Sequence, residues 1–357
     1  MLNNKRAIII ELNTYHGEVL PSLAYFLNQL GYLVEVYASR AVTELNPFVT
    51  TASLNYSMHT LSDSIGVDEW QKKIDQYDLL VWNSVEPIRH LEVIEKIKAP
   101  TLAVVHNGNR ILAKEYKDYF SVPYRQALVL SPNLQKYFQQ EGFKVNWVFP
   151  SYYSDESVQP KVNPEKFSFC VQGKVEFKRR NYLSIIDAVK KLNRSVNIKL
   201  FDIRVIGKSD SFEGFLLRQL VNFSGAKQRF HFSSKLSLYR EYFAELARSD
   251  FLCPLIDETK KEYRSYFVDK ASSSIPTALG NGLVPIVQRK FAMLYEVEEL
   301  SICYDDGYLL LALEEALKMS NEELLTKKRL VLSANEKLLG QSVQNLSNAI
   351  QKIGDIK

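Results

Sequence analysis

Cysteine is scarce in this chain. Cys170, Cys253 and Cys303 each stand inside an apolar run, in FSFCVQ, DFLCPL and SICY. Their setting reads as buried strand rather than disulfide or metal ligation, which fits a reducing compartment. Long hydrophobic runs are missing as well. A membrane-spanning helix needs roughly 20 apolar residues in succession, and no stretch approaches that. The opening segment MLNNKRAIIIELN is apolar too briefly and too early for a secretory leader. A cytoplasmic protein is expected. Charge of one sign is not in marked excess, since 45 Lys and Arg stand against 41 Asp and Glu, a net +4. No nucleic-acid partner is expected from so small a balance. It suits an anionic small ligand, and it is compatible with weak attraction to an acidic membrane surface. No repeat or low-complexity tract appears. No Asp-x-Asp pair stands near a strand end to suggest a divalent metal, and the neighbours of Asp305-Asp306 give no reason to make that pair a metal site.

What is present is ordinary globular material. Hydrophobic residues make up 46% of the 357 positions, and the 20 Tyr and 19 Phe are best read as core packing. Domains usually run to about 100–200 residues, so two are expected. The pattern along the first half is strand, helix, strand. Residues 6–12 (RAIIIEL) read as a buried strand. Leu20, Leu23, Ala24, Leu27 and Leu30 then fall on one helical face that closes at Gly31. Further strands are expected at 33–38, 78–83, 101–105 and 126–130, with helices at 90–97 and 132–140. This alternation predicts an α/β fold with parallel strands and helices on both faces.

A polar stretch between residues 149 and 166, with Pro150, Pro160 and Pro164, breaks the pattern as a linker does. The pattern then restarts. Strands are expected at 167–173, 201–207, 229–232, 250–255, 284–287 and 301–304, and helices at 182–192, 236–248 and 276–282. Two Rossmann-like domains follow, 1–155 and 156–357, with a cleft between them as the default active site. The helical pattern over 330–357 could cap the second domain or cross back to the first.

Four segments at strand ends carry candidate chemistry. In His16-Gly17-Glu18, Gly17 lets backbone approach an anion at the following helix start, although the same residues make a plain turn. In His106-Asn107-Gly108-Asn109, a histidine and two amides can bind sugar hydroxyls. The loop from Gly173 to Arg180 places Lys174, Lys178, Arg179 and Arg180 between a strand and a helix, which suits a diphosphate. Charge runs are usually solvated, and this loop alone would be read so. The run from Asp269 and Lys270 through Ser272, Ser273 and Ser274 to Thr277 offers small hydroxyls at a helix start.

Taken in order, these segments resemble the group 1, GT4-type, family of GT-B glycosyltransferases. VQGKVEFKRRNYLSIIDAVKKL, Val205–Gly207, Asp250–Pro254 and ALGNGLVPIV follow that family's donor domain. The resemblance puts Arg180 at the family's lysine, with Lys178 or Arg179 as its basic neighbour. It puts His106 at the histidine that contacts the transferred sugar, as the catalytic residue. The family's pair of glutamates near the donor falls on Asp269 and Thr277, so one carboxylate is shortened and the other lost. Lys270 and Ser272 to Ser274 would then help hold the donor. The resemblance implies a metal-independent, hexosyltransferase-like enzyme with no bound cofactor. Its donor is a nucleotide-sugar and its acceptor a carbohydrate or lipid-linked molecule. Bacterial surface polysaccharide or glycoconjugate assembly is the implied setting. The altered acidic pair keeps a rival alive, a non-catalytic GT-B partner of another transferase. A nucleotide-sugar epimerase of the same architecture is a second.

Overall fold

The computed structural model describes residues 5–61, 67–86, 91–155, 159–160, 162–163, 165–194, 199–233, 238–305 and 307–354. The chain forms two compact units. One comprises Met1–Glu156, Val268–Ala271 and Glu336–Lys357, the other Ser157–Phe267 and Ser272–Asn335. Each contains one wholly parallel sheet among its described residues.

The first sheet has seven strands: β1 (Lys5–Glu11), β2 (Tyr32–Ala38), β3 (Tyr56–Thr60), β4 (Leu79–Trp82), β5 (Thr101–Val105), β6 (Arg125–Val129) and β7 (Val145–Trp147). Their order is β3-β2-β1-β4-β5-β6-β7. Alternation along β1 explains why both faces are covered. Ala7 and Ile9 enter one apolar cluster with Leu23, Phe26 and Leu27 of the helix Leu20–Gln29. Ile8 and Ile10 enter another with Trp82, Ile111 and Tyr116. A strand buried on both faces reads as a continuous apolar run, as RAIIIEL does. Strands β3 and β7 carry no such signal, because they lie at the sheet edges and one of them, YSMHT, is largely exposed. The helix expected over 90–97 is the short Leu91–Ile94, and residues 87–90 lie outside the described ones.

The second sheet has six strands in the order β10-β9-β8-β11-β12-β13. They are β8 (Lys166–Gln172), β9 (Leu200–Ile206), β10 (Phe230–Ser233), β11 (Phe251–Leu252), β12 (Val284–Gln288) and β13 (Ile302–Tyr304). Phe167, Phe169 and Val171 pack on Ile185, Val189 and Leu192 of the helix Tyr182–Leu192. The strand expected over 250–255 stops after two residues, since Pro254 has no N–H to continue the ladder. The helix expected over 236–248 is Tyr239–Leu246, and residues 236–237 lie outside the described ones. Cys170 and Cys253 are buried, whereas Cys303 on edge strand β13 is half-buried.

The sequence left two places for the terminal helix, and its residues occupy both units. It runs Asn321–Gly354. Leu324 belongs to the second unit's core, while Leu339, Leu346, Ala349 and Ile353 belong to the first's. The Asn146 amide donates to the Asn345 carbonyl at 2.9 Å, and the Phe149 N–H to Ser342 Oγ at 2.8 Å. A single boundary at 155/156 therefore leaves Val268–Ala271 and Glu336–Lys357 out of the first unit. Residues 156–158, 161 and 164 of the linker lie outside the described ones. No helix among the described residues is long and apolar enough to cross a membrane.

Candidate functional site

Both sheets reverse their strand order beside their first strand, between β1 and β4 and between β8 and β11. The carboxyl ends of strands at such a reversal are where open α/β sheets bind ligands. Each unit has built a polar group there, and the two groups differ in charge.

In the second unit, β8 ends at Gln172 and the chain turns through Gly173 at φ 93°. The Gly173 N–H donates to Ile206 O at 2.7 Å. A Cβ on Gly207 would stand 2.5 Å from the Gly173 carbonyl oxygen, so the two strand ends can touch only with glycine at 207. Buried Val175 anchors the loop, its N–H donating to Lys208 O at 3.0 Å. Glu176 then forms ion pairs with Lys174 at 2.8 Å and Arg179 at 2.5 Å. Burial pushes its carboxyl pKa up, but Lys174, Arg179 and Lys178 pull it below the usual value. The backbone N–H of Arg180 donates to Glu176 O, and Asn181 donates to Leu255 O, which fixes the loop against the end of β11. Asn181 also caps the helix Tyr182–Leu192.

Arg180 is the buried cation of this loop. It is 9% exposed, its Nε is buried without a hydrogen bond, and among the described residues no carboxylate pairs with it. Its Nη2 lies 3.0 Å from where a Cβ of Gly173 would be. A buried guanidinium without a counter-charge is costly.

The other expected donor residues divide. Lys178 and Arg179 are exposed, and Arg179 is held by Glu176. Ser273 Oγ accepts from the Gln172 amide at 3.3 Å, and Gln172 in turn accepts from Tyr242 OH, so Ser273 is tied to the same strand end as Gly173. Ser272 is turned inward, its Oγ accepting from the Ser274 N–H and its own N–H bonded to Tyr295 OH. Ser274 and Thr277 lie in the buried helix Ser274–Gly280. Asp269 and Lys270 belong to the first unit.

In the first unit, β1 ends on buried Glu11. Its Oε1 accepts from the Asn13 N–H, and its Oε2 from the Asn83 amide and the Ser84 hydroxyl, each at 2.6 Å. Burial raises its pKa to about 7. The Asn83 amide also donates to His16 O, which holds the loop after β1. Glu86 Oε1 accepts from the backbone N–H groups of His106 and Asn107 at 3.0 and 2.7 Å. His106 thus comes off β5 with its backbone fixed. Its Nε2 lies 2.6 Å from Asn83 O, so it donates there, leaving Nδ1 as the acceptor. Burial, and then the nearby His16, depress its pKa to about 3. The ring is neutral and of one tautomer.

His16 stacks on it with ring centres 3.8 Å apart. The left-handed backbone of this turn falls on His16 (φ 71°), and Gly17 instead begins the short turn Gly17–Val19. Burial opposes a charge on His16, but Glu18, Glu11 and Glu86 outweigh it and raise its pKa. Its Nδ1 stands 3.9 Å from Glu18. Burial likewise works against a charged Glu18, yet His16 brings its pKa down.

The segment 269–271 lies along this turn. The Gly108 N–H donates to Asp269 O at 2.7 Å, and Ala271 N–H to His106 O. A Cβ on Gly108 would strike the Phe138 ring and the Asp269 carbonyl. Asp269 Oδ1 is buried without a partner, and burial raises its pKa. Asp269 therefore neighbours the turn that carries His106. Glu11, Asn83 and Glu86 were not singled out by the sequence reading. The signal for Glu11 and Asn83 is a polar side chain closing an otherwise apolar strand, as in RAIIIEL and DLLVWN, whereas Glu86 lies in the loop beyond and carries no such signal. Asp305 pairs with Arg289, and Asp306 lies outside the described residues.

No protein-family model matches the chain, and no curated protein sequence does. Solved structures match over nearly its whole length. A glycosyltransferase from Rickettsia africae gives a TM-score of 0.65 at 10% identity, covering 99% of this chain and 100% of its own. Anabaena HepE in complex with UDP gives 0.63 at 14% identity, with 97% and 99% covered. The E. coli trehalose-6-phosphate protein bound with UDP-2-fluoro glucose gives 0.58 at 12%, again with 97% and 99% covered. The chain has the GT-B fold.

Proposed function

We propose that this GT-B chain is a glycosyltransferase of GT4 type that takes a hexosyl group from a nucleotide-sugar, with a carbohydrate or lipid-linked acceptor. Arg180 carries the proposal, as a buried cation without a counter-charge at the strand-order reversal of the second unit. A nucleoside diphosphate supplies the missing anion. As the bond from the anomeric carbon to the β-phosphate oxygen breaks, the electron pair leaves with the diphosphate. A fixed guanidinium in a site shielded from water stabilises that growing charge without reorganisation. It does the work of a divalent ion, so turnover without added metal belongs to this reading. The absence of a side chain on Gly173 keeps the guanidinium face beside it uncovered. Ser273, tied to the same strand end, contributes a hydroxyl to the donor.

In the first unit, neutral His106 serves a sugar hydroxyl through Nδ1. Asp269, with its unpartnered oxygen beside that turn, accepts a second. UDP is the favoured nucleotide, because Anabaena HepE was solved with UDP and the E. coli protein with UDP-2-fluoro glucose. Assembly of a bacterial surface polysaccharide or glycoconjugate is the setting we favour, with the lipopolysaccharide outer core galactosyltransferase WaaB, matched at a TM-score of 0.55 and 12% identity, as a structural precedent only. The test is nucleotide release from UDP-, GDP- and TDP-sugars in EDTA, with bacterial lipid extract as acceptor. Release from one of them, strongly lowered in Arg180→Ala and His106→Ala, supports the proposal. Dependence on Mn²⁺ or Mg²⁺ would overturn its metal-independent part, and no release from any donor would favour a non-catalytic partner protein.

A further inference from the structure

The helix Phe212–Phe223 follows β9 in the second unit and is apolar on two opposite sides. Its inner side is ordinary. Gly214, Leu217 and Val221 are buried, the latter two in the unit's core. At about 100° per residue, Phe212, Phe215, Leu216, Gln219 and Phe223 fall on the opposite arc. The structure leaves that arc open. Phe212 is 78% exposed, Phe215 55%, Leu216 39% and Phe223 87%. Not one charged residue falls on it. Surface helices of water-soluble domains place charges on that side, and a contiguous exposed apolar patch marks a contact surface.

The surroundings say what covers it. Lys208 stands just before the helix and Lys227 just after it, both exposed. The Lys208 carbonyl is bonded to Val175, so the loop carrying exposed Lys178 adjoins the same end. Segment 208–229 holds four cations against the acids Asp210 and Glu213. Arg218 is turned aside, donating to Ser209 Oγ and lying over the Phe232 ring. An uncharged phenylalanine stripe about 18 Å long, with a lysine at each end, is complementary to a bilayer surface. The rings enter the acyl boundary while the lysines meet anionic headgroups. An apolar protein groove would match the stripe but give no role to the lysines.

We infer that Phe212, Phe215, Leu216 and Phe223, flanked by Lys208 and Lys227, dock the second unit on an anionic membrane surface. The inference stands apart from the catalytic reading, since it uses none of the residues assigned there.

Co-sedimentation of the full chain with vesicles tests it. One set is phosphatidylcholine alone, the other phosphatidylcholine mixed with phosphatidylglycerol. Binding to the mixed vesicles, weaker at high salt and weak on phosphatidylcholine alone, is expected. Phe223→Asp should lower the partition coefficient about tenfold, and Phe212→Ser/Phe215→Ser/Phe223→Ser should abolish binding at an unchanged melting temperature. Lys208→Glu/Lys227→Glu should remove the preference for the anionic lipid. Equal binding by the serine variant overturns the inference, as does absence of binding to the mixed vesicles. Self-association that the serine substitutions abolish, without vesicle binding, overturns it in favour of a second copy of the chain.

Discussion

At the scale of residues, two buried nitrogen-bearing side chains have opposite fates. Arg180 keeps its charge without a partner, and His106 gives its charge up. His106 should show no proton uptake around pH 6.5, where ordinary histidines titrate. Nitrogen shifts of its ring should report the Nε2–H form throughout that range. His16 should titrate above the ordinary value, and Glu18→Gln should lower its midpoint. The pair has a definite pH window. His16, with a raised pKa, contributes stability that is full below its unfolded value and is lost as pH rises through the folded one. Glu18, with a lowered pKa, contributes stability above the ordinary carboxyl range that is lost as pH falls.

Glu11 behaves in the opposite sense to Glu18. Its folded pKa is raised to about 7, so its contribution is full below its unfolded value and declines as pH rises through 7. Between those limits the loss amounts to roughly 2–3 kcal/mol. Melting curves across this range should fall for the wild type and be flatter for Glu11→Gln. Parallel curves would remove Glu11 from the account. Arg180 itself was readable as a basic residue in a strand-to-helix loop, but not as the buried one left unpaired. Lys174, Lys178 and Arg179 look the same in sequence. Only the fold reveals that Glu176 takes up Lys174 and Arg179.

At the scale of elements, the turns matter more than the strands. Gly173→Ala would face both a left-handed backbone and the Arg180 guanidinium. It should cost about 1–3 kcal/mol of stability and weaken nucleotide binding at the same time. Equal affinity in the variant would uncouple the glycine from the site. The terminal helix makes a second prediction. Leu346 is buried in the first unit's core, so Leu346→Ala should destabilise that unit by about 2–5 kcal/mol, measured by denaturant unfolding.

The strands of both cores were legible because parallel strands buried on two faces leave continuous apolar runs. The helix Tyr182–Leu192 was legible from its periodicity. Phe212–Phe223 was not, since apolar residues fall on both of its sides and no period stands out. Edge strand β3 was hidden for the converse reason, having too few apolar residues. The placement of Asp269 could not be read either. Residues far apart in sequence, Gly108 and Asp269, are joined by a backbone hydrogen bond, and no local pattern encodes that.

At the scale of the molecule, one topology occurs twice. In each unit the sheet steps outward from its first strand and then reverses. The groups at the two reversals have diverged, to carboxylates and histidines in the first unit and to a lone guanidinium in the second. That division is the physical content of a transferase reading. In the proposed reading, one end would serve hydroxyls and protons, the other the leaving diphosphate. Calorimetric titration of UDP, GDP and TDP into wild type, Arg180→Ala and Lys178→Ala tests it most directly. The account predicts that one nucleotide binds the wild type, UDP being favoured. Arg180→Ala should lose about 1.5–3 kcal/mol, roughly ten- to hundredfold in affinity, and Lys178→Ala much less. Unchanged affinity in Arg180→Ala, or no binding of any of the three to the wild type, would contradict it.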